Sequence, residues 1–180
     1  MGPDPVRFAG VDLAGLQRLA RDLVESLPAG LTFGLVGTLG AGKTSWTQAV
    51  ARAIGVDPRE VTSPTFTLVR SHQPALPETA IRRMHHLDAY RVGDEDEFFE
   101  LGVEELFADA DAWTVVEWAD RFADAMPADT LWVRFDFEPD RHRRRLDFRT
   151  ADVALLRRLR RLTASAPAPP RPPGPEKPIR

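Results

Sequence analysis

Residues 37–44 run Gly37-Thr38-Leu39-Gly40-Ala41-Gly42-Lys43-Thr44, and this GTLGAGKT stretch fits the pattern G-x-x-x-x-G-K-S/T at every fixed position. Glycines let a backbone curl until successive N–H groups converge on one anion. A helix that starts directly after the curl brings its positive end to the same point. A lysine there is a mobile point charge for the outer phosphates of a nucleotide, and the hydroxyl beside it is a ligand for Mg2+. Composition singles out Lys43 as well: of 24 Lys+Arg residues only Lys43 and Lys177 are lysine. The stretch predicts a strand-loop-helix unit in which Gly37, Thr38, Leu39, Gly40, Ala41, Gly42, Lys43 and Thr44 cradle phosphate.

The flanking sequence supplies that strand and helix. Leu31–Val36 is a short apolar run, and residues 43–54 place Trp46, Val50 and Ile54 on one helical face with Gly55 as a stop. Upstream, Asp12 is positioned to cap a helix carrying Leu13, Leu16, Ala20, Leu23 and Leu27, ending before Pro28. Downstream, residues 66–70, 84–88 and 113–116 have strand character, and a helix is expected through Phe98, Phe99, Val103, Leu106 and Phe107. Leu131, Val133, Phe135 and Phe137 alternate with polar or amphipathic residues, and Leu146 and Phe148 resume the alternation after the turn at Glu138-Pro139-Asp140. That spacing predicts an antiparallel hairpin and makes the sheet mixed. Asp152 is set to cap a last helix with Leu155, Leu156, Leu159 and Leu162. The expected architecture is α/β: a P-loop NTPase-like mixed β-sheet flanked by helices in a single domain over residues 1–163. A proline-rich, disordered tail is expected over residues 164–180.

A chain of 180 residues and 20.1 kDa has room for one domain with a proper core. Net charge is −3, which gives no overall attraction to nucleic acid. Charge is nonetheless segregated. Residues 94–124 hold twelve Asp or Glu against one Arg, whereas Arg141, Arg143, Arg144, Arg145, Arg149, Arg157, Arg158, Arg160 and Arg161 crowd the C-terminal region. A solvated acidic helix face accounts for the first. The second is either a solvated basic face or a dock for an acidic partner or tRNA. The chain has no cysteine, which excludes disulfides, thiolate nucleophiles and Cys-ligated metals. No apolar run is long enough to span a bilayer, and the N-terminus lacks the form of a signal peptide. A cytoplasmic protein without membrane association is expected.

A phosphate loop that works on Mg2+ needs an acid at the end of a neighbouring buried strand. Asp88 ends Met84-His85-His86-Leu87 and Glu117 ends Thr114-Val115-Val116. Either fits the position. Glu117 follows the more apolar strand and is preferred for the metal together with Thr44, which leaves Asp88 to orient or deprotonate an attacking water. Lys43, Asp88 and Glu117 are thus the expected catalytic set. Ser63-Pro64-Thr65-Phe66-Thr67 concentrates hydroxyls on a rigid turn, which suits a loop that feels a γ phosphate, with Ser63 and Thr65 as its candidate contacts, and also suits an ordinary turn entering a strand. His72, His85, His86 and His142 lack a recurrent metal spacing, so no zinc is assigned.

In order along the chain, GTLGAGKT (37–44), SPTFTLV (63–69), HLDAYR (86–91) and VEW (116–118), with a weaker Glu100-Leu101-Gly102, resemble the bacterial TsaE (YjeE) ATPases of tRNA threonylcarbamoyladenosine synthesis. The resemblance covers residues 10–150. It implies ATP and Mg2+ as cofactors, slow or partner-dependent hydrolysis, assembly with the TsaD and TsaB proteins, and contact with tRNA only through that complex. It also implies Thr44 and Glu117 as magnesium ligands, Asp88 as the acid needed for hydrolysis, residues 63–67 as a nucleotide-sensing loop, and residues 8–12 as a contact for the base. The family pattern usually has an acid after the first glycine, where this chain has Thr38. A small P-loop kinase acting on a small molecule is the alternative, with Arg70, Arg82, Arg83 and Arg91 as phosphate-closing residues. A nucleotide-controlled binding switch with little turnover is a further one.

Overall fold

The computed structural model describes residues 4–62, 64, 68–75 and 79–165. Asp12 caps the first helix as its spacing predicts, accepting from the Gly15 N–H at 2.7 Å, and α1 runs over Leu13–Ser26. It buries Leu16, Leu19, Ala20 and Leu23. Leu13, expected in the apolar stripe, stays 63% exposed at the first turn. The strand before the loop is β2 (Leu31–Val36), and α2 (Lys43–Ala53) follows the loop with Trp46, Ala49 and Val50 inward. A strand absent from the sequence reading precedes all of these: β1 (Val6–Val11) alternates buried Val6 and Phe8 with exposed Arg7 and Ala9.

The third strand is shifted from its expected place. It spans β3 (Val69–His72), so Ser71 and His72 belong to the sheet and not to a connecting loop, because they pair with His85 and Met84 of β4 (Arg83–Asp88). The acidic helix is also two pieces, α3 (Glu95–Glu100) and α4 (Val103–Phe107). Gly102 adopts φ +72°, a left-handed geometry that ends one helix and re-aims the next. Next come β5 (Ala112–Glu117), the hairpin β6 (Leu131–Phe137) and β7 (Arg144–Arg149), and α5 (Val153–Ser165), whose first turn bonds to Asp152. The tail boundary expected at residue 164 leads into residues 166–180, which lie outside those described.

Seven strands form one sheet in the order β1-β7-β6-β2-β5-β4-β3. The centre, β6-β2-β5-β4, is parallel, and the pairs β6/β7, β7/β1 and β4/β3 are antiparallel. The mixed single-domain α/β sheet is the architecture the spacing predicted. Strand alternation sends Trp113 and Val115 into the larger core with α1, α2 and α5, and Val116 into a smaller core with Phe98, Val103 and Phe122. Each face of the central strands is therefore covered, which explains their nearly continuous apolar sequence.

Gly34, in mid-β2, permits the closest packing in that smaller layer. A Cβ there would lie 2.8 Å from Trp132 Cε3 and 3.2 Å from the Ala119 Cβ. Gly34→Ala is expected to destabilise the domain by about 1–3 kcal/mol through overpacking, read as a lowered midpoint in urea. An unchanged midpoint would show that the Trp132 ring moves at no cost.

Candidate functional site: the glycine loop and the strand-end acids

The loop between β2 and α2 is shaped by left-handed glycines. Gly40 has φ +75° and Gly42 φ +109°, and at both the space a Cβ would fill is open. Side chains there would be strained in backbone and would fill the concavity. Gly42 is also the N-cap residue of α2 and provides no side-chain cap, so the first-turn N–H groups of an eleven-residue helix face the concavity unbonded by a cap. Thr38 is exposed and contributes through its backbone: its carbonyl accepts from Ala41 N at 3.1 Å and from Lys43 Nζ at 3.1 Å. Leu39 projects from the loop at 83% exposure.

Lys43 is only 5% exposed. Its ammonium donates to Gly37 O at 2.7 Å and lies 3.5 Å from the Trp118 ring centroid. Burial pushes its pKa below the ordinary lysine value, while Glu117, Asp88 and Asp120 oppose that shift. Trp118 itself is held at φ +59°, an unusual conformation for a bulky residue, and the Tyr90 ring packs 4.9 Å from it.

Parallel pairing sets the acids side by side. Glu117 is in register with Leu35 of β2 on one side and with Asp88 of β4 on the other. All three strands point their C-terminal ends at the loop. Glu117 is 2% exposed and accepts from two directions, from Thr44 Oγ1 at 2.9 Å and from His86 Nε2 at 2.9 Å. Asp88, 4% exposed, accepts from Tyr90 N at 3.0 Å through Oδ1 and caps the short turn Ala89–Arg91. Thr44 thus bonds Glu117. The structure brings Lys43, Thr44, Asp88 and Glu117 together, whereas Ser63 and Thr65 lie outside the described residues.

Three neighbours of the site were not assigned to it in advance. His86 is wholly buried and anchors Glu117; only the strand parity of residues 84–88 hinted that it shares a face with Asp88. Trp118 closes the VEW block, and its ring faces the Lys43 ammonium. Arg144 belongs to the arginine-rich C-terminal region, yet its Nε donates to Ala41 O at 2.9 Å. The basic face expected there is in fact dispersed. Arg143 pairs with Asp140 and Arg145 with Asp136. Arg157, Arg158 and Arg160 remain exposed on α5. Of the arginines considered for closing over phosphates, Arg83 is committed to Asp109.

The donor chemistry admits a nucleotide on a hard cation. Thr44 and Glu117 offer oxygen ligands only, as Mg2+ prefers, and among the described residues no group of three or more His, Cys, Asp or Glu forms a protein-only metal cage. Two protein ligands suit a cation completed by phosphate oxygens and water. Beside the loop, a cleft of about 130 Å3 is lined by Val11, Leu13, Leu16, Phe135, His142 and Arg144 among others.

Fold and site together define a mixed α/β domain with a G-x-x-x-x-G-K-T loop between its central strand and the following helix. The profile of the family "Threonylcarbamoyl adenosine biosynthesis protein TsaE" matches residues 11–146, and the chain belongs to that family. Proteins named tRNA threonylcarbamoyladenosine biosynthesis protein TsaE include one from Mycobacterium tuberculosis, 40% identical over 122 residues, which covers 66% of this chain and 71% of the relative. The Streptomyces coelicolor relative is 37% identical over 122 residues, covering 67% and 78%. The Bacillus subtilis relative is 35% identical over 99 residues, covering 55% and 57%. The crystal structure of Bacillus subtilis YdiB shares the fold at a TM-score of 0.69 and 21% identity, covering 89% of this chain and 95% of that one. Among the described residues no helix is long and apolar enough to cross a membrane.

Proposed function

We propose that this chain binds ATP with Mg2+ and hydrolyses it as the ATPase of the tRNA threonylcarbamoyladenosine machinery, acting in the cytoplasm with TsaD and TsaB and meeting tRNA through that complex. The observation that carries the reading is the convergence of Lys43, Thr44, Glu117 and Asp88 on the mouth of one glycine loop. The loop N–H groups and the start of α2 bind the phosphates, and Lys43 turns from the Gly37 carbonyl to the β and γ oxygens. The apolar cleft at Val11, Leu13 and Leu16 gives the base a wall beside the loop. Thr44 and Glu117 would hold the cation, which supplies charge neutralisation at the phosphates. His86 fixes the Glu117 carboxylate through Oε1. Asp88, kept in place by Tyr90 N, orients a water and takes its proton.

The partners and the residue roles are tested together by reconstitution with TsaD, TsaB and unmodified tRNA. Asp88→Asn preserves shape but removes the base. It is expected to bind ATP within about threefold of wild type and to lose phosphate release and tRNA modification by about a hundredfold or more. Undiminished modification by the Asn variant would remove Asp88 from the chemistry. Tight binding with no measurable turnover in the wild-type complex would favour a nucleotide-controlled switch.

A further inference from the structure

The phosphate loop is braced by an arginine of the β6/β7 hairpin that also lines the cleft beside the loop. Arg144 opens β7 and stands directly across from Phe137, the last residue of β6. Its guanidinium lies 4.1 Å from the Phe137 ring centroid. From that platform Nε donates to Ala41 O at 2.9 Å and Nη2 to Gly40 O at 3.4 Å. Nη1 donates to Arg141 O at 2.6 Å and to Arg143 O at 2.9 Å, which ties the guanidinium to the hairpin's own turn.

Two features set this contact apart from the surrounding ion pairs. Arg7, Arg143 and Arg145 each face a carboxylate, but the four acceptors bonded to Arg144 are all backbone carbonyls. Its full charge is therefore left beside the loop. The carbonyls it takes are also those whose orientation matters: a peptide unit that turns its C=O outward turns the N–H of the next residue inward. Holding Ala41 O fixes the N–H of Gly42, where left-handed glycines leave the backbone free to wander, while holding Gly40 O steadies the peptide whose Ala41 N–H bonds Thr38 O.

We propose that Arg144 is a positioning residue for the phosphate loop, presetting its N–H groups and adding positive field, so that nucleotide affinity depends on the β6/β7 hairpin. The proposal rests on the ATP reading above. It assigns the hairpin a function beyond closing the sheet. It also predicts a binding effect and not a chemical one, since Arg144 bonds Gly40 O and Ala41 O on the cleft side of the loop while Asp88 and Glu117 stand at the strand ends.

The test is ATP affinity by calorimetry, with kcat and KM in the TsaD and TsaB complex, for wild type, Arg144→Gln, Arg144→Lys, Arg144→Ala and the control Arg141→Gln. Arg144→Gln is expected to weaken ATP binding and raise KM about tenfold or more with kcat little changed, and Arg144→Lys to fall between it and wild type. Arg141→Gln removes an equal charge from an exposed position and should bind as wild type does. Millimolar methylguanidinium should restore binding to Arg144→Ala, a recovery that general loss of packing would not show. If wild type binds ATP and Arg144→Gln binds equally well, the proposal is overturned while the ATP reading stands. If wild type fails to bind ATP, the ATP reading itself fails. Loss of binding without rescue, in a variant melting as wild type does, would also overturn positioning by the guanidinium.

Discussion

Lys43→Met is expected to weaken ATP binding by about a hundredfold or more while leaving the nucleotide-free domain at least as stable as wild type. The first part follows from charge-assisted hydrogen bonds to the outer phosphates, worth about 3 kcal/mol when lost from a desolvated site, or roughly two decades of affinity. The second follows from the burial of the ammonium. Folding lowers the lysine pKa from 10.5, chiefly by desolvation. In the window between the lowered value and 10.5 the unfolded chain holds the proton more tightly. Unfolding there takes up a proton, and stability contributed by this group rises with pH. At neutral pH the charged form is carried at a cost, which two carbonyl bonds and the Trp118 ring only partly offset. Methionine fills similar volume without that cost. Melting curves with and without ATP check both halves: ATP should raise the midpoint of wild type and not of the variant.

Glu117→Gln is expected to abolish Mg2+-dependent turnover, by about a hundredfold or more, while ATP binding without the cation persists. The carboxylate is an acceptor from both sides, and the amide must present its NH2 to one of them. Thr44 can accept that bond through its hydroxyl oxygen. His86 can do so only by moving its proton to Nδ1, which already lacks a partner in its buried position. The amide therefore settles with its NH2 toward Thr44, and the fold survives with a loss of about 1 kcal/mol. Mn2+ binding followed by electron paramagnetic resonance is the discriminating readout. An unchanged Mn2+ affinity in the ATP complex would move the metal to a different acid.

Features set by local spacing were readable in the sequence. The glycine loop, the Asp12 cap, the alternation of Leu131–Phe137 and the return through Leu146 and Phe148 each depend on neighbours within a few residues. What failed depends on distant pairing. β1 is a six-residue strand that begins just after Pro5 and contains Gly10, and only its register with β7 makes it a strand. The break at Gly102 is invisible in an apolar periodicity that continues on both sides of it. Asp88 and Glu117 could be proposed because each ends an apolar run, but their adjacency, and the choice of Glu117 by Thr44, come from the β4/β5 register. The arginines at 143, 144 and 145 look alike in sequence. Strand parity and the turn send one to Asp140, one to the glycine loop and one to Asp136.

The loop at residues 37–44 is expected to hold the phosphates of ATP, with the strand-end acids acting on them. Calorimetric titration of the full chain with ATP and Mg2+, in parallel with Lys43→Met, tests it most directly. Saturable binding at one site per chain is expected, strengthened by Mg2+ and lost in the variant. Folded wild-type protein that takes up no ATP, or a Lys43→Met chain that binds it as tightly, would overturn nucleotide binding at this loop.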